Sequence, residues 1–96
     1  MYAVELKPRA QKFIAKQSPK IQRQLIGQIE ALQCNPRPPA SKLLDSRKKV
    51  YRIRSGNYRI IYQVQKGKLL VTIARVGGHK DIYRDLASFL KTLSNL

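Results

Sequence analysis

Acidic side chains are scarce in this sequence. Glu5, Glu30, Asp45, Asp81 and Asp85 are the only five, against twenty Lys and Arg, giving a formal net charge of +15. Scattered in this way they offer neither the paired carboxylates of a glycosidase nor a convincing magnesium site. Cys34 is the single cysteine and His79 the single histidine. An internal disulfide and the usual zinc ligand sets are therefore excluded, no cofactor or metal is expected, and a reducing cytoplasm is the expected compartment. No glycine-rich phosphate loop of the Walker type is present. The first ten residues alternate apolar with charged, so they make neither a signal peptide nor a membrane span. Repeats and low-complexity segments are also missing.

What is present is cationic charge on a short chain. Ninety-six residues predict one domain spanning 1–96, burying roughly 60–65% of the unfolded chain's surface. The charge excess draws polyanions, nucleic acid first and an acidic protein partner compatibly. A membrane surface is disfavoured, because no basic amphipathic helix stands apart from the fold.

Hydrophobic spacing places the elements. Tyr2, Val4 and Leu6 alternate as a half-buried strand that Lys7-Pro8 ends. Pro8 opens a short helix carrying Ala10, Phe13 and Ile14 to about Gln17. Ser18-Pro19 restarts the pattern as N-cap and first helical residue. Ile21, Leu25, Ile29 and Leu32, with Ile26 beside them, predict a second helix to about Gln33. The two form a basic helical hairpin. Pro36, Pro38 and Pro39 make 35–39 a connector, and Leu43-Leu44 anchors the segment that follows.

The organising stretch is 48–62. Two β-prone runs flank Gly56-Asn57, a two-residue hairpin signal in which both positions tolerate positive φ. That turn sets Ser55 opposite Tyr58, Arg54 opposite Arg59, Ile53 opposite Ile60, Arg52 opposite Ile61 and Tyr51 opposite Tyr62. Alternation then puts Tyr51, Ile53, Tyr58, Ile60 and Tyr62 on a core face and Arg52, Arg54 and Arg59 on the other, as surface cations. Like charges directly opposite destabilise a strand pair, and the hairpin contains no carboxylate to relieve them. Guanidinium is suited to phosphate through bidentate contacts, so a phosphate-bearing ligand is favoured over a merely solvated strand. Lys66-Gly67 reads as a second two-residue turn. It sets Val64 opposite Leu69, Tyr62 opposite Val71 and Ile60 opposite Ile73, with the small Ala74 beside Arg59 leaving room for a ligand. Gly77-Gly78 breaks this strand, and Leu86, Phe89, Leu90 and Leu93 predict an amphipathic helix over Arg84 to Leu96.

The remaining polar constellation is His79, Tyr83 and several arginines. It suits metal-free phosphodiester transesterification, in which RNA's own 2′-hydroxyl attacks the adjacent phosphorus. The protein must then align the backbone, neutralise the phosphorane and move two protons.

Tyr51-Arg52-Ile53-Arg54, Tyr58-Arg59-Ile60-Ile61-Tyr62-Gln63-Val64 and Val76-Gly77-Gly78-His79-Lys80-Asp81-Ile82-Tyr83 together resemble the RelE branch of the RelE/ParE toxin superfamily, over nearly the whole chain. The resemblance implies an α+β fold. It has an N-terminal strand, a two-helix hairpin on one face of a small, mainly antiparallel sheet (β-α-α-β-β-β), and a short C-terminal helix. It also implies a toxin of a type II toxin–antitoxin system that cleaves messenger RNA in the ribosomal A site and is held by an acidic, RelB-like antitoxin in a hetero-oligomer. Arg52 and Arg54 fall where that family carries two strand lysines, Arg59 matches its arginine after the turn, and Tyr83 its tyrosine near the C-terminus. His79 stands where the best-known RelE has an arginine. On this reading Arg52, Arg54 and Arg59 take the scissile phosphate, while His79 and Tyr83 handle protons or stack on a base. Lys48, Lys49 and Lys80 contribute RNA-binding field. Arginine stays protonated, so the general base is left open. His79 as a loop histidine capping a backbone group and Tyr83 packed on the core are the plainer alternatives. At the level of function the alternatives are a ParE-like poison that binds DNA gyrase, and a non-catalytic RNA- or ribosome-binding module.

Overall fold

The computed structural model describes residues 1–93. Its elements are β1 (Ala3–Leu6), α1 (Pro8–Ala15), α2 (Pro19–Ala31), β2 (Lys42–Asp45), β3 (Val50–Ser55), β4 (Tyr58–Gln65), a 3₁₀ turn at Lys66–Lys68, β5 (Leu70–Gly78) and α3 (Leu86–Lys91). One mixed sheet forms in the order β1-β5-β4-β3-β2, with β1 parallel to β5 and the other pairs antiparallel. The expected order of elements is present, with one addition. Lys42–Asp45 pairs with β3 as an edge strand. Its Lys-Leu-Leu-Asp sequence does not alternate, its register is broken between Leu43 and Asp45, and Leu43 is left 49% exposed. Short, irregular edges of this kind discourage pairing with another chain.

The helices start where their sequence chemistry directs. Pro8 and Pro19 each occupy the first turn, and Ser18 accepts the Ile21 amide as N-cap. Ala10, Ile14, Leu25, Ile29 and Leu32 pack onto Ile53, Ile60, Tyr62, Val64, Val71, Ile73 and Val76 as the front core. The buried Tyr62 hydroxyl donates to Pro36 O at 2.7 Å, which ties the proline connector to the sheet. Burial pushes the Tyr62 phenol up to about 12.

The first hairpin has the register its turn dictates, from Ser55 opposite Tyr58 to Tyr51 opposite Tyr62. Only Gly56 takes positive φ, at 61°, so the turn follows the pattern with glycine at its first central position. The second hairpin departs from expectation. A 3₁₀ turn and a left-handed Leu69 lengthen the loop, so Gln65 pairs with Leu70 and Val64 with Val71. A register shift between Ile61 and Tyr62 then leaves Ala74 as the extra residue, so Ile61 meets Arg75 and Arg59 meets Gly77. Such a bulge exchanges the faces of every residue beyond it. Val76 consequently joins the front core, while Arg75 turns to the back and its guanidinium lies over the Phe89 ring at 5.1 Å.

The back of the sheet is not uniformly cationic, which corrects the expectation of one apolar and one basic face. Val50, Ile61 and Ile82 form a second buried cluster under Leu44, Leu86, Phe89, Leu90 and Leu93. The C-terminal helix begins at Leu86 and not at Arg84, because turns occupy the preceding residues. The predicted extension through 94–96 lies outside the described residues.

Candidate functional site

Arg52, Arg54 and Arg59 share the back face at the end of the sheet that carries the Gly56-Asn57 turn. Arg54 pairs with Arg59, and Arg52 is two residues along β3 on the same side. These side chains are not three surface cations. Arg52 is 8% and Arg59 9% exposed, while Arg54 is open to solvent. The reason is the second cluster, which covers this face beside the arginines, with Ile82 seated against Gly77, the cross-strand partner of Arg59. A β-carbon at Gly77 would lie 3.1 Å from Ile82 Cδ1. The space expected at Ala74 is therefore not beside Arg59.

Burying a guanidinium without complete hydrogen bonding is costly. Arg59 offsets part of the cost by curling back, its Nη1 donating to Gly56 O at 3.0 Å and Tyr58 O at 2.9 Å. Its Nε, like that of Arg52, is buried with no partner. Among the described residues the ion pairs are Lys7–Glu5 and Arg84–Asp81, and neither involves these arginines. The site is thus a cluster of cations with unfilled donors and no local counter-charge.

His79 joins it. Its amide donates to Asn57 O at 2.8 Å, and its Nδ1 lies 3.5 Å from Arg59 Nη2. A guanidinium can only donate, so Nδ1 is the acceptor of this contact, and in the neutral ring the hydrogen sits on Nε2. Tyr83 is 39% exposed and follows in the same segment, with no hydrogen bond or ring contact to the arginines. Lys49 and Lys80 are exposed. Lys48 is engaged elsewhere: its Nζ donates to Leu90 O in the last turn of α3, where a cation complements the helix dipole.

The sequence reading passed over Arg75. Facing Ile61, it shares the back face with Arg52 and donates through Nη1 to Arg84 O at 3.2 Å, pinning the 79–93 segment to the sheet. Unbroken alternation from Val71 and Ile73 would place it on the front, and the bulge at Ala74 turns it to the back. Among the described residues no group of three or more His, Cys, Asp or Glu is placed to hold a metal ion, and no helix is long and apolar enough to cross a membrane.

The family described as ParE toxin of type II toxin-antitoxin system, parDE, matches residues 4–83. No curated protein sequence matches. Among solved structures, that of the intact E. coli RelBE toxin–antitoxin complex contains a chain 31% identical, covering 81% of this chain and 96% of that one, at a TM-score of 0.70. A mutant of E. coli toxin RelE in the free state is 26% identical, covering 96% and 98%, at 0.75. The archaeal RelE–RelB complex from Pyrococcus horikoshii OT3, 20% identical over 81% and 94% at 0.71, shares the fold. Several of these relatives were crystallised with RelB antitoxins.

Proposed function

The chain belongs to the RelE/ParE superfamily of type II toxin–antitoxin toxins, and from that premise we propose that it is an endoribonuclease cleaving messenger RNA on the ribosome. The family description points to ParE and the solved relatives to RelE, and a shared fold does not settle chemistry. The observation that favours RNA cleavage is the cluster of three arginines with no local counter-charge, Arg54 open to solvent, set against an exposed histidine. It has the composition of a phosphate site that also needs proton transfer.

On this reading residues 1–96 are one toxin domain acting in the cytoplasm. Arg52, Arg54 and Arg59 grip the non-bridging oxygens of the scissile phosphate, and their charge offsets what develops on the phosphorane. The 2′-oxygen forms a bond to phosphorus as its proton passes to water, and the bond from phosphorus to the 5′-oxygen breaks. Products are a 2′,3′-cyclic phosphate and a 5′-hydroxyl. His79 Nε2–H donates a hydrogen bond to the leaving oxygen as that oxygen takes up a proton from water, and Tyr83 stacks on a splayed base or assists as donor. Lys49 and Lys80 add attractive field. An acidic, RelB-like antitoxin is the partner of opposite charge.

Mapping messenger 5′ ends in a translating extract tests this. New ends within codons, absent with Arg59→Ala, are expected. Intact messenger together with cleaved or relaxation-deficient plasmid DNA would transfer the protein to the gyrase-binding reading that the family description favours. Intact messenger with stalled translation and intact DNA would leave a binding module.

A further inference from the structure

Three consecutive carbonyls at the first hairpin turn reach the site. Gly56 O and Tyr58 O hold Arg59 Nη1, and Asn57 O holds the His79 amide. Wherever the turn moves, both side chains move with it. Left to itself it would move, since it lies at a sheet corner and Arg54 repels Arg59 directly across the ladder.

Two glutamines from the helical layer hold the same turn from the front. Gln24 of α2 donates from Nε2 to Ser55 Oγ at 3.1 Å, and Gln17, between α1 and α2, accepts the Tyr58 hydroxyl on Oε1 at 3.3 Å. The Gln17 amide group is itself oriented, because its Nε2 donates to Phe13 O at 3.0 Å. Ser55 and Tyr58 are the paired residues that bracket Gly56-Asn57. Ser55 is 2% exposed, and a β-carbon at Gly56 would stand 2.9 Å from Gln24 Nε2, so the glutamine fills the space directly behind the turn.

We propose that Gln17 and Gln24 are positioning residues that clamp the Gly56-Asn57 turn, so that its carbonyls aim Arg59 and His79 at the phosphate. The proposal rests on the reading of that site given above. Neither glutamine touches substrate. Both act through Ser55 and Tyr58 on a rigid turn, and small misplacements of a phosphate-gripping group are costly in rate.

The test uses the full chain and variants chosen to keep side-chain length. Gln24→Met cannot donate to Ser55, and Gln17→Met offers Tyr58 only a weak thioether acceptor, whereas Gln17→Glu retains a full one. Gln28→Ala, on the exposed side of α2, is the control. In the double Met variant, the side-chain Nε–H resonance of Arg59 and the backbone amide resonance of His79 should shift or broaden in ¹⁵N-correlated spectra. Gln17→Glu and Gln28→Ala should leave them in place. On programmed ribosomes kcat should fall about tenfold with KM unchanged, and the loss should shrink when Arg59→Ala is already present, as expected for residues acting through one another. Unchanged Arg59 and His79 resonances in the double variant, or the same fold-loss with Arg59 removed, would overturn the clamp. A wild type that cuts no messenger defeats the functional reading instead, and the resonances still decide the clamp.

Discussion

β3 and β4 present their two faces to different neighbours, and the contrast separates stability from function within one hairpin. Forward, Ile53, Ile60 and Tyr62 meet Leu25, Ile29 and Leu32, and the one deeply buried hydroxyl among them has its acceptor on Pro36. Backward, the same strands carry Arg52 and Arg59 with buried nitrogens that nothing satisfies, beside an apolar cluster that ends at Ile82. An apolar face stabilises in proportion to the area it removes from water, and a cationic face without a counter-charge stabilises little. The fold therefore rests on the front of the hairpin and tolerates an unfinished back.

Substitutions on the two faces should separate accordingly. Arg59→Ala is expected to lower messenger cleavage by about 10²–10³-fold, the cost of removing one preorganised donor to a developing charge. Ile60→Ala, at a fully buried position, should lose ~2–5 kcal/mol in denaturant titration. Cleavage per folded molecule should be unchanged. Arg52→Met should keep unfolding stability or raise it by up to about 1 kcal/mol, because it replaces a guanidinium whose Nε is orphaned, while cleavage falls. Equal loss of stability and activity there would erase the distinction between the faces.

The smallest effect belongs to Tyr62. Its phenol is raised from 10.0 to about 12, first by burial and then by the stacked Tyr51, against a lowering contribution from Ser41. The unfolded chain releases this proton near pH 10 and the folded chain near 12, so the unfolded state binds fewer protons in between. Wild-type stability should be intact below that window and decline across it. Tyr62→Phe should remove that part of the decline and cost about 1 kcal/mol at neutral pH through the lost bond to Pro36.

The forward face was largely legible in the sequence. Gly56-Asn57 fixes a register, and once it is fixed alternation assigns Ile53, Ile60 and Tyr62 inward and the arginines outward. Other features resisted. Lys66-Gly67 resembles a two-residue turn, yet Leu69 adopts the left-handed region and lengthens the loop, and Ala74 then bulges; nothing in the alternation of Val71, Ile73 and Arg75 signals either event. The edge strand Lys42–Asp45 lacks a period of two. Burial of Arg52 and Arg59 was hidden because alternation says which way a side chain points and not what covers it. The cover comes from Ile82, a lone apolar residue in a turn, and from α3. Gln17 and Gln24 carry no signal in the sequence, since only the packed structure brings them to residues far along the chain. The site residues Arg54, Arg59 and His79 are brought together; Tyr83 and Lys48 are not drawn to them.

The most direct measurement is Arg59→Ala beside wild type, with messenger 5′ ends on programmed ribosomes and denaturant unfolding recorded on the same preparations. In the native protein Arg59 makes two backbone hydrogen bonds and leaves Nε unpaired. Those contributions should nearly cancel, leaving unfolding within about 1 kcal/mol of wild type while cleavage is lost. Retained cleavage, or a loss matched by unfolding, would contradict the claim that the arginines on the back of the hairpin serve phosphate and not stability.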